Sequence, residues 1–159
     1  MNPPPEPRFV QEADADLGTL EGRRIAIVGY GNLGRSLSLN LRDSATAPVV
    51  VGEIPGPSWD RAAADGFTVT PASNAAAESD IVFVLLPDEV APNVYQRELA
   101  PAIRPGSALV FASGYSLAFG QIQPARDLDV LLIAPRMMGV AVRDLYRKGL
   151  GFPAFVSLE

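Results

Sequence analysis

The chain has 159 residues, of which 48% are hydrophobic and 19% charged, which suits one globular domain with a real core. Its formal net charge of -5 argues against a nucleic acid or an anionic membrane as partner. It contains neither Cys nor His, which excludes disulfides and thiolate catalysis and argues against a zinc or iron centre built by this chain.

The first 13 residues, MNPPPEPRFVQEA, are rich in proline and predict an extended, flexible arm. They lack the basic and apolar regions of a signal peptide. No apolar run reaches the roughly 18 residues that a membrane span needs. We therefore expect residues 14–159 to form the folded domain of a cytoplasmic protein.

From residue 24 onward, strand and helix patterns alternate. Leu33, Leu37 and Leu41, for example, recur at helical spacing after the first apolar run. Near-continuous apolar strands that alternate with helices indicate a parallel sheet covered on both faces. The fold predicted is an α/β, doubly wound Rossmann domain. Its predicted strands are residues 24–29, 48–53, 67–70, 80–86, 107–112, 129–135 and 153–157. Its predicted helices lie within residues 31–44, 57–66, 71–80, 88–103 and 139–149, and Pro92 disturbs the fourth.

The most informative motif is GYGNLG, residues 29–34, between the first predicted strand and the first predicted helix. In a dinucleotide-binding turn of this pattern, Gly29 allows the tight turn and Gly31 lets the backbone approach a pyrophosphate. Gly34 lets the helix pack close to the strand, and the helix N-terminus offers free N–H groups to the phosphates. A merely tight strand-to-helix turn is the alternative interpretation.

An acidic residue, Glu53, ends the second predicted strand. A carboxylate at this position accepts hydrogen bonds from the adenosine ribose and repels a 2′-phosphate, so it favours NAD over NADP. Ser58 offers one hydrogen bond to a phosphate, and Arg61, one turn into the next helix, is the cation that most threatens this preference. The alternative is that Glu53 is only a solvated charge at a strand end.

The chain also carries several motifs in one order: DADLGTLEG, RRIAIVGYGNLGRSLSLNLRDS, WDRAAADGF, LLPDEV, FGQI and DVLLIAP. From about Asp14 to Ser157 it closely resembles the N-terminal domain of the ketol-acid reductoisomerase family. The resemblance implies an NADPH- and Mg²⁺-dependent enzyme that converts acetohydroxy acids into dihydroxy acids for branched-chain amino acid synthesis. It also implies a second, helical domain that supplies the metal-binding carboxylates and that this chain would lack.

The resemblance assigns cofactor-binding positions one by one. Ser58 matches a family Ser that touches the 2′-phosphate, whereas Ile54 stands where NADP-dependent members commonly carry Arg. Gly139 matches a glycine that approaches the nicotinamide end. The cofactor-binding residues expected are Gly29, Tyr30, Gly31, Asn32, Leu33, Gly34, Glu53, Ser58, Leu86, Pro87, Asp88, Glu89 and Gly139.

The catalytic positions depart from the family pattern. Ser113 stands where the family carries a His, and Ala118, Arg136 and Val140 replace further polar residues of the crevice. A Ser hydroxyl cannot hold and release a proton near neutral pH as imidazole does. We therefore expect no family reaction from this chain alone, no metal site in it, and Mg²⁺ only if a further domain supplies ligands.

Three interpretations remain open at this stage. The first is the NAD(P)-binding domain of a related oxidoreductase that works with a helical partner domain or as a homo-oligomer. The second is a non-catalytic module that senses or sequesters a dinucleotide or acts in an assembly. The third is a reductase of another substrate with Tyr115 as proton donor.

Overall fold

The computed structural model describes residues 14–44 and 47–158, so the proline-rich segment 1–13 lies outside the described part of the chain. One sheet runs through the described residues. Its strands are β1 (Ile25–Val28), β2 (Val49–Gly52), β3 (Thr68–Thr70), β4 (Ile81–Val84), β5 (Ala108–Phe111), β6 (Asp129–Pro135) and β7 (Ala154–Leu158). Their order across the sheet is β3-β2-β1-β4-β5-β6-β7.

Helices connect these strands and cover the sheet. They are α1 (Asn32–Asp43), α2 (Pro57–Ala64), α3 (Ala72–Ala77), α4 (Ala91–Val94), α5 (Tyr115–Ala118) and α6 (Gly139–Arg147). The fourth predicted helix starts at Ala91 rather than residue 88, so Pro92 lies in its first turn, where its missing N–H costs nothing. The disturbance comes later, because Tyr95–Leu99 continue α4 as a π-helical turn. No helix in the described residues is long and apolar enough to cross a membrane.

Strand order places β4 beside β1, so the winding of the sheet reverses between them. Strands β1 to β6 are parallel to their neighbours, which confirms the predicted α/β Rossmann fold for most of the sheet. In such sheets, ligands bind beyond the carboxyl ends of the strands at the point of reversal. A ligand site is therefore expected beyond the carboxyl ends of β1, β2, β4 and β5.

The prediction of an all-parallel sheet is wrong for the last strand, because β7 pairs antiparallel with β6. After α6, residues 148–153 lead the chain back to the carboxyl end of β6. There the Arg136 N–H donates to the Pro153 carbonyl at 3.0 Å, so Ala154 pairs beside Pro135 and β7 runs the opposite way. A short apolar strand pattern gives no indication of the direction in which the strand pairs.

Side chains that alternate along the strands belong to two separate apolar clusters, one on each face of the sheet. Ala26 and Val28 of β1 belong to one cluster, which includes buried residues of α3 and α4. Val51 of β2 belongs to the other cluster, with Leu39 of α1 and Ala62 of α2. This alternation is the period of two that a strand imposes on its side chains. The sheet is thus covered on both faces, and α1 begins at the carboxyl end of β1.

Candidate functional site

The glycine-rich turn joins β1 to α1, and its three glycines meet different surroundings. Gly29 has φ +99°, and a Cβ there would lie 2.7 Å from the Leu85 carbonyl oxygen. A Cβ on Gly34 would overlap the Gly29 carbonyl oxygen. At Gly31, in contrast, an added Cβ would meet no atom within 4 Å. The outer two glycines are required by packing, whereas the middle one faces open space.

That open space lies at the N-terminus of α1. Gly31 is the N-cap residue, and no side chain caps the helix. The first turn of an α-helix has N–H groups without intrahelical partners and carries the positive end of the helix dipole. Gly31 and Asn32 are exposed, so this end of α1 is open to solvent. The arrangement suits an anionic group such as a pyrophosphate.

Glu53 follows β2 and lies against the same turn. Its Oε1 accepts the Tyr30 N–H at 2.6 Å, and its Oε2 accepts the Ile54 N–H at 3.1 Å. Each carboxylate oxygen can accept more than one hydrogen bond, so both keep capacity for a ligand hydroxyl. The half-buried carboxylate is therefore oriented by backbone groups rather than free in solvent.

Tyr30 points its side chain away from the open face of the turn. The ring is fully buried and packs edge-to-face on Phe67, with ring centroids 5.8 Å apart. Its hydroxyl donates to Asp65 Oδ2 at 2.9 Å, and burial raises the pKa of Tyr30 well above its usual range. Any contact between Tyr30 and a ligand is restricted to its backbone.

Asp65, which the sequence did not single out, anchors this side of the site. Arg35 donates to it twice, from Nε at 2.6 Å and from a terminal nitrogen at 3.0 Å. These bonds hold the pKa of the Asp65 carboxyl below its usual range. Arg42 adds a bond of 2.6 Å to the Asp65 carbonyl. Asp65 lies within the WDRAAADGF motif, but its role was not apparent there because its partners Arg35 and Tyr30 lie 30 and 35 positions away.

Beyond Glu53, the chain turns into α2. Ser58 lies in the first turn of that helix and is half-buried. Arg61 is exposed one turn later and forms no ion pair with the described residues. Both residues therefore lie on the helix that follows the Glu53 loop, and Arg61 is a cation that forms no ion pair within residues 14–44 and 47–158.

A pocket of about 190 Å³ lies beside the start of α1, beyond the ends of β4 and β5. Four of the residues expected at the site line this pocket: Leu33, Leu86, Asp88 and Ser113. Ala91, on the loop that the family resemblance places beside the cofactor, also lines it. The remaining lining residues were not named as site residues from the sequence: Val84, Leu85, Phe111, Ala112, Ser116 and Ile122. Their position at strand ends and in the FGQI motif was the available signal. The pocket is mostly apolar, and Asp88 is its one charged lining group.

Ser113 and Asp88 meet at this pocket. Ser113 Oγ donates to Asp88 Oδ2 at 3.3 Å and accepts the Tyr115 N–H at 3.3 Å. The Tyr115 ring is half-exposed and packs on Phe119 with ring centroids 4.7 Å apart, and it does not line the pocket. Of the two residues expected to carry catalysis, Ser113 therefore lies on the pocket wall, whereas the Tyr115 ring lies outside the pocket.

The loop after β4 is held by a tight turn. The Pro87 carbonyl accepts the N–H groups of Val90 and Ala91, both at 2.9 Å, and this starts α4. Glu89 is exposed and does not line the pocket. Of the expected loop residues, Leu86 and Asp88 face the pocket, whereas Pro87 shapes the turn.

Helix α6 begins directly against α1. A Cβ on Gly139 would lie 2.5 Å from the Leu33 nitrogen and 2.6 Å from the Asn32 carbonyl carbon. Further along the two helices, Arg143 donates to Asn40 Oδ1 at 2.9 Å. The backbone of Gly139 therefore packs directly against the backbone of the first turn of α1.

Metal ligands are not gathered in the described part of the chain, where no group of three or more Asp, Glu, His or Cys residues is placed to hold an ion. The site instead combines an open glycine turn, an uncapped helix N-terminus and a carboxylate at the next strand end. Together with the strand order, these features define the Rossmann class of dinucleotide-binding folds.

Comparison with known proteins gives the family. Residues 19–159 match the family described as "Acetohydroxy acid isomeroreductase, NADPH-binding domain". The chain belongs to this family, which confirms the resemblance to ketol-acid reductoisomerases.

Two relatives carry that name. A ketol-acid reductoisomerase (NADP(+)) of Caldivirga maquilingensis is 44% identical over 152 residues, which are 96% of this chain and 46% of that protein. The structure of an NADH-preferring ketol-acid reductoisomerase from an uncultured archaeon superposes with a TM-score of 0.90 at 38% identity. That match covers 93% of this chain and 46% of the other. The chain thus spans a little under half the length of these relatives.

A more distant structure shares the fold. The 3-hydroxyisobutyrate dehydrogenase of Mycobacterium tuberculosis matches with a TM-score of 0.63 at 26% identity, over 77% of this chain and 43% of that one.

Proposed function

We propose that this chain binds a nicotinamide dinucleotide as the cofactor-binding half of a ketol-acid reductoisomerase-type oxidoreductase. The observation that carries the proposal is the open face of Gly31 at the uncapped start of α1. A pyrophosphate fits there because no atom lies where a Cβ would point, and the helix offers N–H groups. The names of two of the relatives reported for this chain, one a ketol-acid reductoisomerase (NADP(+)) and one an NADH-preferring ketol-acid reductoisomerase, support it.

Three parts of the dinucleotide would contact different residues of this chain. Backbone N–H groups of Asn32 and Leu33 would bind the pyrophosphate, and Glu53 would accept hydrogen bonds from the adenosine ribose. The pocket beside Leu33 and Ser113 would hold the nicotinamide, and its apolar walls would exclude water there. The bound nicotinamide supplies or accepts a hydride.

We further propose that NADH binds more tightly than NADPH. The Glu53 carboxylate is held at the turn by two backbone N–H groups, so it cannot easily swing away from an adenosine 2′-phosphate. Like charges about 4 Å apart repel by roughly 1 kcal/mol in water and several times more at an effective dielectric near 20. The neighbouring Ile54 supplies no compensating cation. Arg61, which is uncommitted, is the residue that opposes this preference.

The family reaction requires more than this chain provides. The alkyl shift needs a metal ion to polarise the ketol oxygens, and the described residues do not gather three or more potential metal ligands in one place. Ser113 is hydrogen-bonded to Asp88 and cannot replace an imidazole as a proton carrier near neutral pH. We propose that Mg²⁺ and the missing proton-transfer groups come from a second domain.

That second domain, or a second copy of the chain, would cover an apolar rim. Tyr115 and Phe119 are exposed after β5, and Met138 and Val140 are exposed after β6. The chain covers only 46% of the Caldivirga relative, so the remaining half of such a protein is the simplest candidate to cover this rim.

A second candidate function is a non-catalytic dinucleotide-binding or sensing module. It is favoured by the same pocket, whose one titratable lining residue is Asp88. Both functions require dinucleotide binding, and they differ in whether a metal-binding domain is joined to the chain.

Binding is tested by calorimetric titration of the chain with NADH and NADPH, using Gly31→Val and Gly151→Val as a matched pair. Neither glycine has a neighbour within 4 Å of its Cβ position or a positive φ, so both variants should fold. Gly31→Val should abolish binding because its side chain occupies the pyrophosphate position. Gly151→Val should bind as the unmodified chain does. No binding of either dinucleotide at millimolar concentration would refute the proposal.

A further inference from the structure

A series of hydrogen bonds connects the Glu53 carboxylate, proposed to bind the ribose, with the ion pair between Asp65 and Arg35. It begins at Glu53, which accepts the Tyr30 N–H at 2.6 Å. It continues through the Tyr30 side chain, whose hydroxyl donates to Asp65 at 2.9 Å. It ends at Arg35, which holds Asp65 with two hydrogen bonds. One residue, Tyr30, therefore connects two carboxylates that lie in different loops.

The backbone around Tyr30 has little conformational restriction of its own. Tyr30 lies between Gly29 and Gly31, and glycines permit more backbone conformations than other residues. Gly29 is fixed by its N–H, which donates to the Gly52 carbonyl at 3.0 Å, and the Tyr30 side chain is the next fixed point of the turn. It is fully buried, and Phe67 packs against its ring. The direction of the Tyr30 N–H consequently depends on where its ring and hydroxyl are held.

Asp65 is itself firmly placed at the C-cap of α2. Arg35 binds both of its carboxylate oxygens, and Arg42 binds its carbonyl oxygen. A hydrogen bond from a hydroxyl to such an ionised carboxylate is stronger than one between neutral groups. Asp65 thus gives the Tyr30 hydroxyl a fixed and charged partner.

We propose that Asp65 is a positioning residue for the dinucleotide site, which acts through Tyr30 to orient the Glu53 carboxylate and so sets the preference for NADH over NADPH. This inference rests on the proposed binding of a nicotinamide dinucleotide. Loss of the Tyr30–Asp65 bond loosens the turn, and Glu53 then binds the ribose hydroxyls less well and repels a 2′-phosphate less. A merely structural role, tying α2 to α1, would change stability and leave this preference intact.

The decisive variant is Tyr30→Phe, because it removes one hydroxyl and keeps the buried ring. It also leaves the Arg35–Asp65 ion pair in place, so any effect cannot come from a released arginine. Asp65→Asn is the second variant, and it removes the negative charge from the acceptor of the Tyr30 hydroxyl. Tyr95→Phe is the matched control, since Tyr95 is a buried tyrosine in the cluster on the other face of the sheet.

Calorimetry measures dissociation constants of the full chain and each variant for NADH, NADPH, ADP-ribose and 2′-phospho-ADP-ribose. The last two probes isolate the adenosine end. We expect the preference for the unphosphorylated form to fall about fivefold in Tyr30→Phe, as suits one hydrogen bond. It should fall at least as far in Asp65→Asn and stay unchanged in Tyr95→Phe.

The outcomes separate the two proposals. An unchanged preference in Tyr30→Phe and Asp65→Asn, with or without lower melting temperatures, would overturn the positioning role and leave the proposed binding function standing. An equal loss of affinity for all four probes would do the same. If the unmodified chain binds none of the probes, both proposals fail.

Discussion

The Cβ position of Gly139 lies 2.5 Å from the backbone nitrogen of Leu33, so the start of α6 rests on the first turn of α1 without room for a side chain. The contact connects two segments that are more than a hundred residues apart. It makes the shape of the candidate pyrophosphate site depend on a residue outside the glycine motif.

Gly139→Ala should therefore move α6 away from α1. Overpacking of this kind costs about 1–3 kcal/mol of unfolding free energy. Dinucleotide affinity should also fall, because the shifted turn presents its N–H groups in other directions. Urea unfolding and calorimetry measure the two effects. Gly151→Ala is the control, since a Cβ there meets no atom within 4 Å. Unaltered stability and affinity in Gly139→Ala would show that the two helices separate at no cost.

Glu53→Gln should reduce the preference for NADH over NADPH by about tenfold. The substitution removes the negative charge that repels a 2′-phosphate and weakens acceptance of the ribose hydroxyls. Dissociation constants for both cofactors give the ratio. Glu78→Gln is a suitable control. Glu78 is an exposed carboxylate in the loop before β4, and it forms an ion pair with Arg24. Tighter binding of NADPH than NADH by the unmodified chain would show that Arg61 or Ser58 controls the site instead.

The chain alone should not convert 2-acetolactate in the presence of Mg²⁺ and either reduced cofactor. The expected reason is the lack of a metal site in the described residues and the Ser113 hydroxyl on the pocket wall. Cofactor oxidation is followed by absorbance and product by chromatography, with an intact ketol-acid reductoisomerase as positive control. Turnover above the blank would contradict the proposed need for a second domain.

The stability contributed by Asp65 should depend on pH in one direction. Its folded-state pKa is lowered, chiefly by the hydrogen bonds from Arg35, so its contribution is present above the ordinary carboxyl pKa and is lost as the pH falls through the folded value. Asp65→Asn should cost about 1–3 kcal/mol at pH 7. The difference from the unmodified chain should shrink below a pH of about 4. Urea unfolding from pH 7 to pH 2 checks this, and a gap that stays constant would exclude an ionic contribution.

The sequence was sufficient for the parts of the fold that depend on local pattern. Apolar runs predicted the strands, and GYGNLG in its strand-to-helix context predicted the sharp turn and the packing at Gly34. The resemblance to ketol-acid reductoisomerases was correct as well. These features depend on neighbouring residues and on spacings that are visible along the chain.

Which polar and aromatic side chains are buried depends on partners far away along the chain, and the sequence does not reveal these partners. The spacing of Leu33, Leu37 and Leu41 predicted the helix α1, but these leucines are only half-buried. Ser38 and Asn40 are buried more deeply. Asn40 is buried because α6 covers that side of α1 and Arg143 binds its amide oxygen. In the same way, the buried position of the Tyr30 ring follows from Asp65, which lies 35 positions away.

The reversed direction of β7 has a consequence for how the crevice is reached. Leu158 pairs with Leu131, near the amino end of β6, whereas the crevice lies beyond the carboxyl ends of the parallel strands. A segment joined after β7 would start near the amino ends of the parallel strands and would have to extend about 14 Å along the sheet to reach the crevice. Fusion partners, affinity tags or a covering domain attached there therefore need a connecting stretch of at least four extended residues, as estimated from about 3.4 Å per residue. A shorter junction would leave the mouth of the pocket accessible.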